Sequence, residues 1–241
     1  MPSHHGVLAL SPHGVLALSP HSVLAHDAAT EYARHVTDDH LATDPAQAPP
    51  HVADLAAACV RFVSARYGIA LDFAPDTLSL LDQWLRDARA EAHQNPEAAE
   101  LVQSAAGAYL GEVIRRHFGA TWQAHGDFPS WRLCLQPVYC AFNPIGMSRE
   151  ALLLGPAEGW HAHFELDPGE KDAIVARLNA LPAVGEDEYY APSTRFDVVS
   201  IVVEALREGL RARGLGDVTF AADDYRSHDS EINGSPSKRL N

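Results

Sequence analysis

The chain has 241 residues, with 18 Lys+Arg against 32 Asp+Glu, a formal net charge of −14 and 46% hydrophobic residues. So acidic a balance argues against nucleic acid or an anionic membrane as partner, because phosphate recognition needs clustered cations and here only Lys238 and Arg239 lean positive. The length and apolar content suffice for one domain with its own core.

Three cysteines, Cys59, Cys134 and Cys140, are an odd number without C-x-x-C spacing. That disfavours a disulfide framework or a thiolate zinc site and fits a reducing cytoplasm, the expected location. No stretch reaches the roughly 18 consecutive apolar residues of a membrane span. The start also lacks the basic n-region of a secretory signal, so no targeting segment is expected.

Residues 1–26 hold three octads in register: Ser3–Leu10, Ser11–Leu18 and Ser19–His26. A period of eight is too short for solenoid repeats, and Pro12 and Pro20 break any helix at each repeat. Eight of the 14 histidines lie at or before His51, which suits a metal-binding tract, but a flexible leader is the favoured reading. Residues 27–50 read as a linker or short helix, 51–222 as the folded domain and 223–241 as a disordered tail.

Within the domain, Val52, Leu55, Ala56, Cys59, Val60 and Val63 recur at helical spacing and Gly68 stops the run at Tyr67. Pro75 and Asp76 open a second helix that ends near His93, with Leu78, Leu81, Trp84 and Leu85 on its apolar face. A third spans Pro96 to Phe118, with Glu97 and Glu100 at its positive end and Arg115, Arg116 and His117 in its last turn before Gly119.

The period then changes. Residues Thr121 to Gln123, Trp131 to Phe142, Trp160 to Leu166 and Val218 to Ala221 carry strand composition. Between them lie a short helix opened by Ser148, a helix from Lys171 to Leu181 capped by Asp167, and a long helix capped by Ser193 or Thr194 that runs to Arg213. This order predicts an α+β fold, with N-terminal helices on one face of a mostly antiparallel sheet and further helices after the strands.

Three groups of residues are candidates for chemistry or contact. In a strand, His161, His163 and Glu165 share one face, as metal ligands for zinc or iron or with Glu165 as catalytic base; yet alternate residues stand roughly 6.5–7 Å apart, so a further ligand would be needed. Glu112 lies in an apolar helical stretch where burial could make it an acid or base, but pairing with Arg115 or Arg116 is the favoured reading. Gly107 and Gly111, one turn apart, let another element approach that helix closely.

Glu186, Asp187 and Glu188, followed by Tyr189 and Tyr190, form the candidate contact surface, since tyrosines suit interfaces and acids steer a basic partner. Cys134 and Cys140 are expected on one side of a single strand segment, too far apart to bridge. Motifs for α/β-hydrolases, P-loops, dinucleotide binding and zincins are lacking.

The run LDFAPDTLSLLDQWL from Leu71 to Leu85, followed by GAYLGEVIRRHFGATW from Gly107 to Trp122, resembles a loose group of uncharacterised bacterial proteins, a domain of unknown function. Their pattern is an extended entry to a helix, a G-x-Y-x-G-E-V-I helix, a short turn and a strand begun by Trp. The resemblance covers about residues 52–142 and implies no catalytic role for Glu112.

Taken together, the sequence favours a non-catalytic protein-interaction module with an acidic surface, no cofactor and a basic protein partner. One alternative is a metal-dependent hydrolase or oxygenase built on His161, His163 and Glu165 with zinc or iron; the other is a small-molecule pocket between sheet and helices.

Overall fold

A computed structural model describes residues 47–225. The octad repeat at 1–26, most of the 27–50 linker and the tail beyond Tyr225 lie outside the described residues.

Helix α1 (Pro50–Tyr67) starts on a proline, whose missing N–H is not needed there, and stops where Gly68 turns left-handed at φ 71° and donates its N–H to the Ser64 carbonyl. A 3₁₀ turn (Pro75–Thr77) then leads into α2 (Leu78–Ala92), which buries Leu78, Leu81, Trp84 and Leu85. Asn95 caps α3 (Pro96–Phe118), its side chain accepting from the N–H groups of Glu97 and Ala98.

Every residue from Gln103 to Ile114 of α3 is buried, so this helix is enclosed on all sides rather than amphipathic. Its small residues allow that enclosure. At Gly107 an added Cβ would run into the backbone of Ile145, and at Gly111 into the Trp122 ring, so α3 meets its neighbours at glycine contact distance.

Four strands follow in the order β1 (Ala120–Gln123), β2 (Arg132–Leu135), β3 (Cys140–Phe142) and β4 (Glu165–Leu166), all antiparallel. Register assigns the two faces. Trp122 opposes Leu133, and Leu133 opposes Phe142, so these large side chains share the face turned to α3. On the other face Cys134 and Ala141 pack against Tyr225, flanked by Tyr139 and Phe220.

The expected α+β layering is the observed one, with helices before and after a four-stranded antiparallel sheet. Several local expectations need correction. The span Trp131 to Phe142 is a hairpin, because Pro137 at the bend between β2 and β3 donates no N–H to a ladder. Cys134 and Cys140 therefore lie on opposite faces: Cys134 shares a face with its partner Ala141, and Cys140 is the next residue along.

Helix α4 (Pro144–Leu153) begins earlier than Ser148. Asn143 is its cap, accepting from the N–H groups of Ile145 and Gly146, and Ser148 is buried in mid-helix. Only Glu165 and Leu166 of the Trp160 to Leu166 run form a strand. Upstream, His161 turns left-handed at φ 49° and its carbonyl accepts from the Asn143 N–H, which breaks the alternation.

Asp167 caps α5 (Pro168–Asn179) as expected, accepting from the Gly169 N–H at 2.8 Å. The acidic stretch is one turn of helix, α6 (Glu186–Tyr190), and α7 (Pro192–Ala212) follows. Neither Ser193 nor Thr194 caps α7. The cap comes from α2: Asp82 accepts from the Ser193 N–H at 3.0 Å and from its hydroxyl at 2.5 Å.

Val218 to Ala221 is not a strand; the Phe220 N–H reaches the Gln136 carbonyl at 2.8 Å, but no ladder follows. The folded part also extends past Ala222, since Tyr225 is buried against the sheet. Among the described residues no helix is long and apolar enough to cross a membrane.

Candidate functional site

Glu112 is buried within α3, and its carboxylate is fully engaged. Arg115 donates to both oxygens, Nε to Oε1 at 2.8 Å and a terminal nitrogen to Oε2 at 3.0 Å; Trp122 Nε1–H donates to Oε1 at 2.9 Å. Arg116 Nε lies 3.5 Å from Oε2. The i+3 and i+4 pairing expected from spacing is present, and the indole adds a tertiary bond to β1 that spacing could not reveal.

Beside this cluster is a cavity of about 250 Å³ lined by Gln47, Ala48, Ala53, Ala56, Phe73, Glu112, Arg115 and Arg116. Phe73 has φ 65°, unusual for a bulky side chain. Its N–H donates to the Tyr109 hydroxyl at 2.9 Å and its ring stacks on Tyr109 at 4.8 Å, while Asp72 turns the chain by accepting from the Ala74 N–H. The Arg116 guanidinium lies over the Phe73 ring, 3.7 Å from its centroid.

The histidine run is divided by the structure. His161 Nδ1 lies 3.4 Å from Glu165 Oε1, but that oxygen also accepts from Arg132 Nε at 2.7 Å. His161 and His163 are both exposed and flank the buried Ala162. Among the described residues, no group of three or more His, Cys, Asp or Glu side chains is arranged to hold a metal ion.

In α6 the acids have different surroundings. Asp187 pairs with Arg86 at 2.6 Å and with Arg89, and hydrogen bonds from these guanidinium groups hold its carboxyl below the usual range. Glu186 and Glu188 are exposed. Tyr189 and Tyr190 lie near the Arg195 guanidinium, 4.7 and 5.4 Å from the ring centroids, and Arg195 forms a buried ion pair with Glu150 at 2.7 Å. Asp187 thus ties α6 to α2, and the Arg195 guanidinium ties α6 to α7.

The cysteines are buried, and loss of hydration pushes the Cys59 and Cys140 thiols far up. Neither is a thiolate nucleophile at neutral pH.

A second concavity was not anticipated from the sequence. A groove of about 420 Å³ runs where the end of α7 and the segment after it face the β2–β3 bend. Tyr139, Leu206, Leu210, Leu215, Val218 and Phe220 supply its apolar lining, and Asp167, Glu170, Asp224 and Arg213 its charges. The signal was present: apolar residues continue from Leu206 and Leu210 past the helix end to Leu215 and Val218, where a solvated terminus would be polar.

No curated protein and no solved structure matches the chain. An uncharacterised domain family does: over residues 26–132, which include α1 to α3, β1 and every residue lining the Glu112 cavity, the chain is similar to a family of unknown function (DUF6278).

Proposed function

We propose that this protein is a non-catalytic interaction module whose groove at the end of α7 receives a basic segment of a partner protein bearing large apolar side chains. The observation that carries the reading is the groove's lining: among the described residues, an apolar floor with three carboxylates, Asp167, Glu170 and Asp224, and one guanidinium, that of Arg213, which is itself paired with Glu170 at 2.6 Å. Leu215 and Val218 stand exposed beside it, so apolar surface is already in water and gains from being covered.

Acids around an apolar floor select lysine- or arginine-bearing segments and speed their encounter, while the floor supplies affinity. Exposed Glu186 and Glu188 add to the negative surface. The buried carboxylates support the non-catalytic half of the reading, because Glu112, Glu150 and Asp82 each serve a structural hydrogen bond or ion pair.

The test is selection of a random peptide library on the full chain, followed by anisotropy titration of the selected peptides against Val218→Lys and Leu215→Lys. Both positions are exposed, so the variants fold. Expected are peptides rich in Lys or Arg with at least one large apolar residue, weakened about tenfold or more by either substitution. Enrichment of acidic or neutral peptides, or equal binding to the variants, overturns the proposal.

A further inference from the structure

We infer that the groove at the end of α7 is filled, until a partner arrives, by the chain's own segment Lys238-Arg239-Leu240, which a partner's basic segment displaces; this rests on the reading of the groove as a docking surface for basic and apolar side chains.

Charge selects the occupant. Among the described residues, the lining has Asp167, Glu170 and Asp224 with Arg213. The hydrogen bonds that Asp167 and Asp224 accept from the Gly169 and Ala221 N–H groups leave their negative charge in place, while Glu170 is paired with Arg213. Outside the described residues, 226–241 hold Arg226, Lys238 and Arg239 against Asp229 and Glu231, a positive balance in a chain of net −14. Residues 1–46 hold Arg34 against Asp27, Glu31, Asp38, Asp39 and Asp44. Opposite charge therefore favours the segment after Tyr225 and disfavours the one before Gln47.

Side-chain chemistry agrees. Lys238, Arg239 and Leu240 place two cations and a branched apolar group in three consecutive residues. The cations suit Asp167 and Asp224, and the leucine suits the floor at Leu210, Leu215 and Val218, of which Leu215 is 45% and Val218 38% exposed.

The structure also fixes where the segment starts. Tyr225 is anchored by its ring against Cys134 and Ala141 and by its hydroxyl at the β2–β3 bend, and the residue before it, Asp224, lines the groove. From Tyr225 the chain to Lys238 can reach at most roughly 45 Å when fully extended, so it returns to its own origin without strain. Such a tether sets a local concentration on the order of 1 mM. A contact with a dissociation constant of about 0.1 mM is then about 90% formed and weakens a competing segment about tenfold.

The experiment uses the full chain with Ser237→Cys carrying a nitroxide; the native cysteines are buried, which directs the label to position 237. Expected in NMR spectra is broadening of the Leu210, Leu215 and Val218 methyl signals that does not change on dilution and is lost when Lys238→Glu and Arg239→Glu are added. In parallel, a synthetic peptide of residues 232–241 is titrated by anisotropy and should bind the unlabelled charge-reversed chain about tenfold more tightly than the native chain. Broadening that is unchanged by charge reversal, or that arises only between labelled and unlabelled chains in a mixed sample and so belongs to a second copy, overturns the inference. Equal affinity of this peptide for native and charge-reversed chains overturns it too, and if library-selected peptides still bind the groove, the docking reading stands without it. Absence of both the broadening and any peptide binding overturns the two together.

Discussion

The Tyr225 hydroxyl accepts from the Cys140 N–H at 3.0 Å and lies 2.6 Å from the Leu135 carbonyl and 2.9 Å from that of Val138, so one phenol joins both ends of the β2–β3 bend. Its one proton serves the nearest carbonyl, and burial pushes the phenol pKa far up, so it stays protonated throughout the working range.

Tyr225→Phe keeps the ring against Cys134 and Ala141 but strands the Cys140 N–H and the Leu135 carbonyl. A buried polar group left unpaired costs about 1–3 kcal/mol. Urea denaturation should show a loss in that range, and hydrogen exchange should show faster exchange at Cys140 than at α3 amides. Unchanged exchange at Cys140 would mean that the bend stays closed without the hydroxyl.

Gly107→Ala and Gly111→Ala test the close approach to α3. Alanine gains about 1 kcal/mol over glycine in a helix interior. Here the Cβ at Gly107 meets the Ile145 backbone, which cannot rotate away, and at Gly111 it meets the Trp122 ring. Both variants should be net destabilised, by about 1–3 kcal/mol in thermal or chemical unfolding, with Gly107→Ala the worse. A stabilised Gly107→Ala would show that α4 can move off α3.

The Glu150–Arg195 pair should behave as a buried ion pair whose single substitutions cost more than the double. Both side chains are at least nine-tenths buried, and Arg195 Nε has no hydrogen-bond partner. Glu150→Gln or Arg195→Met should each cost about 3–5 kcal/mol, since an unpaired charge is left inside. The double variant should recover a large part of that loss. Additive costs in this cycle would mean that the two charges are hydrated separately.

His51 should make stability depend on pH. Burial lowers its pKa below the ordinary 6.5, although its Nε2–H donates to the Ala124 carbonyl at 3.0 Å and the ring packs edge-on to Trp131. The folded state binds this proton less readily than the unfolded chain. The contribution is therefore complete above pH 6.5 and lost as pH falls from there through the folded pKa. Denaturation midpoints between pH 8 and pH 5 should fall with acid more steeply in the native chain than in His51→Asn. Parallel curves would exclude His51 as the source.

How far these features were legible depends on the range of the interactions that create them. Pro96, Glu97 and the Arg115 to Gly119 end located α3 from local capping, and the Gly107 and Gly111 spacing announced its close packing. Glu112's pairing with Arg115 and Arg116 was readable because both partners lie one turn away. The Trp122 bond to the same carboxylate crosses from helix to strand, and no spacing rule reaches it. The His161, His163 and Glu165 alternation misled because period two looks the same in a strand and in an irregular segment; the left-handed turn at His161 separates them.

The sequence by itself determined where the first three helices begin and end and that a sheet follows them, because caps, proline, glycine and hydrophobic period act within one or two turns of chain. Tertiary structure alone decided that Asp82 of α2 caps α7, that Asp187 is tied to Arg86 and Arg89, that Tyr225 closes the sheet's second face, and that the groove and the Glu112 cavity exist. Each of these joins residues far apart along the chain, so it depends on how the elements pack, which local preferences do not specify.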